Sequence, residues 1–172
     1  MLGDEYLHAP ESSASNMAHW LMKSEPHAYS WEQLVEDGST HWDGVRNYQA
    51  RNLMRDDMSV GDLVLFYHSN CKPPHVAGVA RVSKEAYPDF TAQDPSSKYF
   101  DSKATPNNPR WMMVDIEAVS KLEPVSLPEL RANPLLEDMP LLRRGQRLSV
   151  QPVSEEEFEA ICLMGGLSGI PE

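Results

Sequence analysis

Apolar residues in this chain fall into short groups whose spacing changes from one group to the next. AHWLMKS, at 18–24, reads as a strand. Ser30 followed by Gln33 has capping-box spacing and Gly38 is a helix stop, so Trp31 to Asp37 reads as a short helix. Trp42 to Arg46 then reads as a loop. From Asn47 a second helix is predicted, because at about 100° per residue Ala50, Leu53 and Met54 share one face while Asn47, Tyr48, Arg51, Asn52 and Arg55 take the other.

Gly61-Asp62 marks a turn before Leu63 to His68, a continuous apolar run that reads as a buried strand, with Val76 to Val82 as its partner beyond Pro73-Pro74. Met112, Val114, Ile116 and Ala118 alternate with Met113, Asp115, Glu117 and Val119, predicting a strand buried on one face. Ser126 with Glu129 and Ser154 with Glu157 are capping-box spacings, and Arg147 to Val153 is a strand between them. Phe158, Ile161 and Cys162 give the last helix an apolar stripe ending at Gly165-Gly166. Strands and short helices follow one another without a βαβ rhythm or a repeat. The expected fold is therefore α+β, built on a curled, mainly antiparallel sheet.

The stretch from Tyr87 to Arg110 is rich in Pro, Ser, Asp and Asn and longer than most connections inside a compact domain, which marks it as a functional loop or a mobile one. Residues 1–16 lack apolar periodicity and are expected to be a disordered tail, with 17–166 as the single domain and 167–172 as a short C-terminal tail. With 172 residues and 41% hydrophobic content, one core can close. No run approaches the ~18 apolar residues of a membrane helix, and the N-terminus does not read as a leader, so no membrane partner is expected. A monomer is expected, cytoplasmic, or nuclear in a eukaryote. Cys71 and Cys162 form no framework of spaced pairs and are expected to be reduced.

The net charge of -11 weighs against a general duplex binder, which carries a broad basic footprint. Two basic islands stand out on this acidic background: Arg46, Arg51 and Arg55, and then Arg143, Arg144 and Arg147. Nucleic-acid contact, if made, must be local.

HWLMKSEP at His19 to Pro26 and WDGVRNYQARN at Trp42 to Asn52 resemble the EVE domain family. The resemblance continues through GDLVLFYHS, AGVARV, Tyr87-Pro88-Asp89, DPSSKYFDSKATPNNPRW and RLSVQPVSEEEF, so it covers roughly 17–166. It implies a PUA-like fold, a small curled mixed β-barrel with peripheral helices, similar to YTH and ASCH domains. It also implies a non-catalytic pocket for a modified base such as 5-methylcytosine in DNA, or a base of RNA. By the YTH likeness, Trp42 stands near the position of a cage tryptophan.

A base reader needs an aromatic surface, polar groups for the base edge and cations for phosphates. Trp42 is the candidate platform, its bland alternative being a staple that holds the loop to the core. Tyr48, Tyr87 and Phe90 are candidates for the opposite wall. Ser24, Glu25, Asn47 and Asn52 are candidates for the base edge, with Glu25 able to accept from an exocyclic amine, and Lys23 is a further ligand-binding candidate. Arg46 and Arg51 are candidates for phosphate, or for a buffer anion in the same pocket; their alternative is surface pairing with Asp43, Asp56 or Asp57.

His68 is a candidate pocket-wall donor and Asp89 a further ligand-binding candidate. His68, Cys71 and His75 have a spacing that suggests zinc only weakly, since no fourth ligand is near, and no metal is expected. An enzyme alternative would recruit Glu25, His68 and Asp89 as acid, base and orienter, but no nucleophile elbow, Walker loop, dinucleotide fingerprint or deaminase zinc signature supports it. No cofactor is expected. A protein-interaction module is the third alternative.

Overall fold

The computed structural model describes residues 17–172, so the tail expected at 1–16 lies outside the described residues. Among the described residues, six strands form one mixed sheet in the order β2-β5-β4-β3-β1-β6. They are β1 (His19–Ser24), β2 (Ser39–His41), β3 (Leu63–His68), β4 (His75–Pro88), β5 (Met112–Ser126) and β6 (Val150–Val153). β1 runs parallel to β3, and every other pairing is antiparallel. The edge strands β2 and β6 do not pair with each other, so the expected barrel is an open, curled sheet.

Alternation explains why β1 and β3 read as apolar throughout. Trp20, Met22, Val64 and Phe66 enter one hydrophobic cluster, while Leu21, Leu63, Leu65 and Tyr67 enter another on the opposite face. The second cluster is closed by α4 (Glu155–Met164), which contributes Phe158, Ile161 and Cys162, and by α3 (Leu127–Ala132). Both helices begin with reciprocal capping boxes at Ser126/Glu129 and Ser154/Glu157, as their spacing predicts. Cys71 and Cys162 are unpaired.

α1 (Trp31–Asp37) covers the first cluster. Only half of its expected capping box forms: Ser30 accepts from Gln33 N–H, but the Gln33 side-chain amide donates to Asp37 at 2.9 Å. The Trp31 indole lies directly over Gly78 of β4, where an added Cβ would come within 2.5 Å of the ring.

α2 (Tyr48–Asn52) is capped by the Asn47 side chain and continues into a π-helical turn at Leu53–Asp57. Ala50 and Met54 are buried on its inner face, as expected, and Leu53 is partly buried against the same cluster. β4 and β5 are much longer than their predicted cores, and their ladder carries register shifts, including those at Val82/Lys84 and Lys84/Tyr87. Such irregularities twist a strand pair and re-aim its side chains. One consequence is that Met113, expected on the outer face, is fully buried beside Val114.

The stretch after β4 is built from successive turns. A 3-10 turn at Phe90–Gln93 opens it, and others, including Ala104 N–H to Asp101 O, fold it onto itself. Trp111 closes it, donating its indole N–H to Asp101 at 2.7 Å. Among the described residues, no helix is long and apolar enough to cross a membrane.

Candidate nucleic-acid interface

The open end of the sheet holds a cavity of about 730 Å³. Its walls come from distant parts of the chain. The end of β1 supplies Lys23, Ser24 and Glu25, and the turn after it supplies His27 and Tyr29. β2 and the following loop supply Thr40 to Arg46, Lys98 and Tyr99 enter from the segment after β4, and Ser149 precedes β6.

Trp42 is packed as a staple and also borders the cavity. Its backbone N–H donates to Val114 O at 2.7 Å, and its ring meets Phe66 edge to face, with centroids 5.5 Å apart at 89°. It is 8% exposed, and it lines the cavity. The loop tryptophan is thus packed into the core on one side while bordering the open space on another, which fixes the indole in place.

Arg46 and Asp89 hold the cavity together. Arg46 Nη1 donates to Asp89 at 2.9 Å and to Val45 O, while Nε and Nη2 donate to Tyr99 O at 3.1 and 2.7 Å. Asp89, fully buried, also accepts from Gly44 N–H at 2.9 Å and from Thr91 N–H at 2.8 Å. Burial acts to raise the Asp89 pKa, but the bonds from Thr91, Gly44 and Arg46 outweigh it and hold the group below the usual carboxylate range. The guanidinium expected on phosphate is therefore committed to the framework. It ties the Tyr99 backbone to the Trp42 loop.

Gly44 completes this junction. Its φ of 82° is a left-handed conformation, and a Cβ there would lie 2.6 Å from the Tyr99 ring. Gly44→Ala is expected to cost roughly 1–2 kcal/mol in backbone strain and to push Tyr99 out of the cavity wall. Thermal melting together with the Tyr99 ring resonances checks this; an unchanged melt and unshifted resonances would contradict the junction.

The polar lining is unevenly occupied. Glu25 lies 3.1 Å from His27 and accepts from Asn70 at 3.2 Å. Ser24 Oγ donates to Tyr29 O at 2.6 Å, and the Tyr29 hydroxyl donates to Asp37, with burial first and that bond second pushing its pKa up to about 12. Asp43 is only 3.8 Å from His41, and burial, then the charge of Asp89, raises its pKa. Lys23 is half-buried, and desolvation lowers its pKa. The cavity thus offers carboxylates, imidazoles, hydroxyls and two ammonium groups around aromatic walls.

Of the residues singled out in the sequence, Lys23, Ser24, Glu25, Trp42 and Arg46 line the cavity, and Asn47, Tyr48, Arg51, Asn52, His68, Tyr87 and Asp89 do not. Asn47 spends its side chain capping α2. Asn52 accepts from Arg51, whose Nη1 also donates to Arg110 O at 2.8 Å. Tyr48 stacks on Trp111 at 4.8 Å, away from Trp42. Tyr87 donates its hydroxyl to Asp115, and Phe90 packs against His41 with ring centroids at 5.0 Å.

His68 is buried behind β1, where Nε2 accepts from Trp31 N–H at 3.2 Å and Nδ1 faces Ser24 O at 3.4 Å. That leaves it no free nitrogen to offer as a pocket-wall donor. Cys71 directs its thiol at the His68 and Pro73 carbonyls. Of the acid, base and orienter set Glu25, His68 and Asp89, only Glu25 faces the cavity. Tyr29, His41, Asp43, Lys98, Tyr99 and Ser149 went unrecognised in the sequence. Tyr99 and Lys98 lay within the DPSSKYFDSKATPNNPRW stretch, whose length was the available signal.

Comparison with known proteins places this geometry. Residues 18–164 match the EVE domain family. Human thymocyte nuclear protein 1 is 41% identical over 164 residues, covering 84% of this chain and 72% of that protein. A hypothetical protein from Leishmania major has a similar structure, with a TM-score of 0.83 and 50% identity, covering 87% of this chain and 94% of that one. The human THYN1 protein in complex with 5-methylcytosine-containing DNA superposes with a TM-score of 0.81 and 40% identity, covering 87% of this chain and 98% of that one. The family match runs from β1 through α4 and so contains every strand that frames the cavity; the chain belongs to the EVE domain family.

Proposed function

We propose that the cavity beside Trp42 captures a single modified base, 5-methylcytosine foremost, presented by DNA, and that the protein is a reader without catalytic turnover. The observation that carries this reading is the pre-set indole of Trp42 bordering a polar cavity, in a chain 40% identical to a protein solved with 5-methylcytosine-containing DNA. Glu25 and Asp43 are suited to accept from the exocyclic amine of a cytosine, while Trp42 and Tyr99 supply the surfaces against which its ring can lie.

Magnitudes limit the outcome. Stacking a base on an aromatic side chain contributes ~1–3 kcal/mol, and withdrawing it from a duplex costs a few kcal/mol, so the two nearly cancel. The methyl group adds about 0.8 kcal/mol, a factor of about four. Modest preference for the modified base and strong preference for accessible bases are expected.

Anisotropy titrations with matched methylated and plain oligonucleotides test the reading. Wild type is expected to favour the methylated strand about fourfold. Tyr99→Ala is expected to weaken binding about tenfold. Equal affinity for both strands, unaffected by Tyr99→Ala, would sink it.

A further inference from the structure

Beyond the cavity, a shallower hollow of about 460 Å³ opens beside it. The two share Arg46, Lys98 and Tyr99 as a common wall. The second hollow is also lined by Phe100, a large aromatic left 42% exposed, and by Trp111. An exposed aromatic in a hollow next to a base-sized cavity is a stacking surface for a second ring.

Charge orders the two hollows. The arginines of this region are paired, Arg46 with Asp89 and Arg110 with Asp101, while Lys98 has no carboxylate partner among the described residues. Its ammonium stands 5.0 Å from the Tyr99 ring centroid, on the shared wall. Asp101, which also lines the second hollow, accepts from Trp111 and from Lys103 N–H, bonds that hold its pKa low, and is paired with Arg110 at 3.5 Å. With Asp101 engaged by Arg110, a phosphate is drawn to the unpartnered Lys98 on the shared wall. That is where the linkage between two successive nucleotides would cross.

We propose that the second hollow seats the nucleotide adjoining the captured base, with Phe100 as its stacking surface and Lys98 on the intervening phosphate. The inference rests on the base-capture reading of the first cavity. The ligand is then a single-stranded or locally opened segment of at least two nucleotides, and the acidic body of the protein confines contact to this short run.

The test uses the full chain with two probes, 5-methyl-2′-deoxycytidine and a short single strand carrying one central 5-methylcytosine. In wild type the strand should bind more tightly than the nucleoside. Phe100→Ala should lower the ratio of strand to nucleoside affinity about tenfold. Lys98→Met should reduce the slope of log affinity against log salt by about 0.7, the release expected for one single-strand phosphate. If both variants keep the wild-type ratio and slope while the nucleoside still binds, the second seat is refuted and base capture stands. If the nucleoside fails to bind wild type, both readings fall together.

Discussion

Asp89→Ala is expected to lower stability by about 3 kcal/mol, which for a chain of this size moves the melting temperature down by about 10 °C. The side chain is fully buried, and the substitution strands several partners at once: the Gly44 and Thr91 N–H groups and one face of the Arg46 guanidinium. Arg46 retains Val45 O and Tyr99 O and is partly open to water, so the loss stays at the lower end for a broken buried pair. Asp89→Asn should cost less, because an amide oxygen can still accept from Gly44 or Thr91.

The pH dependence has a definite sign. Asp89 has a lowered folded pKa, so its contribution is present above the unfolded value near 4 and is lost as pH falls through the folded value. Asp43 acts in the opposite sense: its raised pKa means its contribution is present at low pH and lost as pH rises through that folded value. Removing Asp89 also removes a charge that repels the ionised Asp43, so the Asp43 carboxyl should titrate lower in Asp89→Ala. Thermal melts across the acid range, with carboxyl resonances followed by NMR, check both. A melt within a degree or so of wild type, or an unmoved Asp43, would contradict the junction described.

Trp42→Ala carries the second large effect. Truncating a packed tryptophan costs about 3–5 kcal/mol, and because part of Trp42 borders the open cavity, the lower figure is expected. The loss includes the edge-to-face contact with Phe66, an aromatic pair of the kind that contributes about 1 kcal/mol beyond area burial. Binding should fall at least about tenfold even where the variant is fully folded. Trp42→Phe separates the two roles, since a smaller ring restores much of the packing and a partial stacking surface. Chemical denaturation and titration on the same samples measure them. Full binding by folded Trp42→Ala would place the ligand elsewhere.

Much of the sheet was readable because burial on both faces leaves an unbroken apolar run, as at Leu63 to His68, and burial on one face leaves alternation, as around Ile116. The capping boxes at Ser126 and Ser154 were readable because they are wholly local. β2 was not: Ser39–His41 is short and polar, and it is a strand only because it pairs with Asp115 to Glu117 of β5. The far ends of β4 and β5 were missed for a related reason. Ser83 to Pro88 is largely exposed and carries no periodic apolar signal, yet its backbone is paired.

The cavity divides in the same way. Lys23, Ser24, Glu25 and Trp42 lie in the segments that carry the family resemblance, and they line the cavity. Tyr99, Lys98 and His41 reach it through sheet topology and the Arg46 to Tyr99 O bonds, which no local spacing encodes. Conversely, Arg46, Asn47, Asn52 and Asp89 carry the chemistry of a ligand site and use it on their own neighbours. A buried polar side chain must find partners, and here those partners are neighbouring protein groups.

The most direct test of base capture is a crystal of the full chain soaked with 5-methyl-2′-deoxycytidine. The base should appear in the cavity with its ring against Trp42 and its amine toward Glu25 or Asp43. A base seated elsewhere on the protein, or an empty cavity at saturating nucleoside, would contradict it.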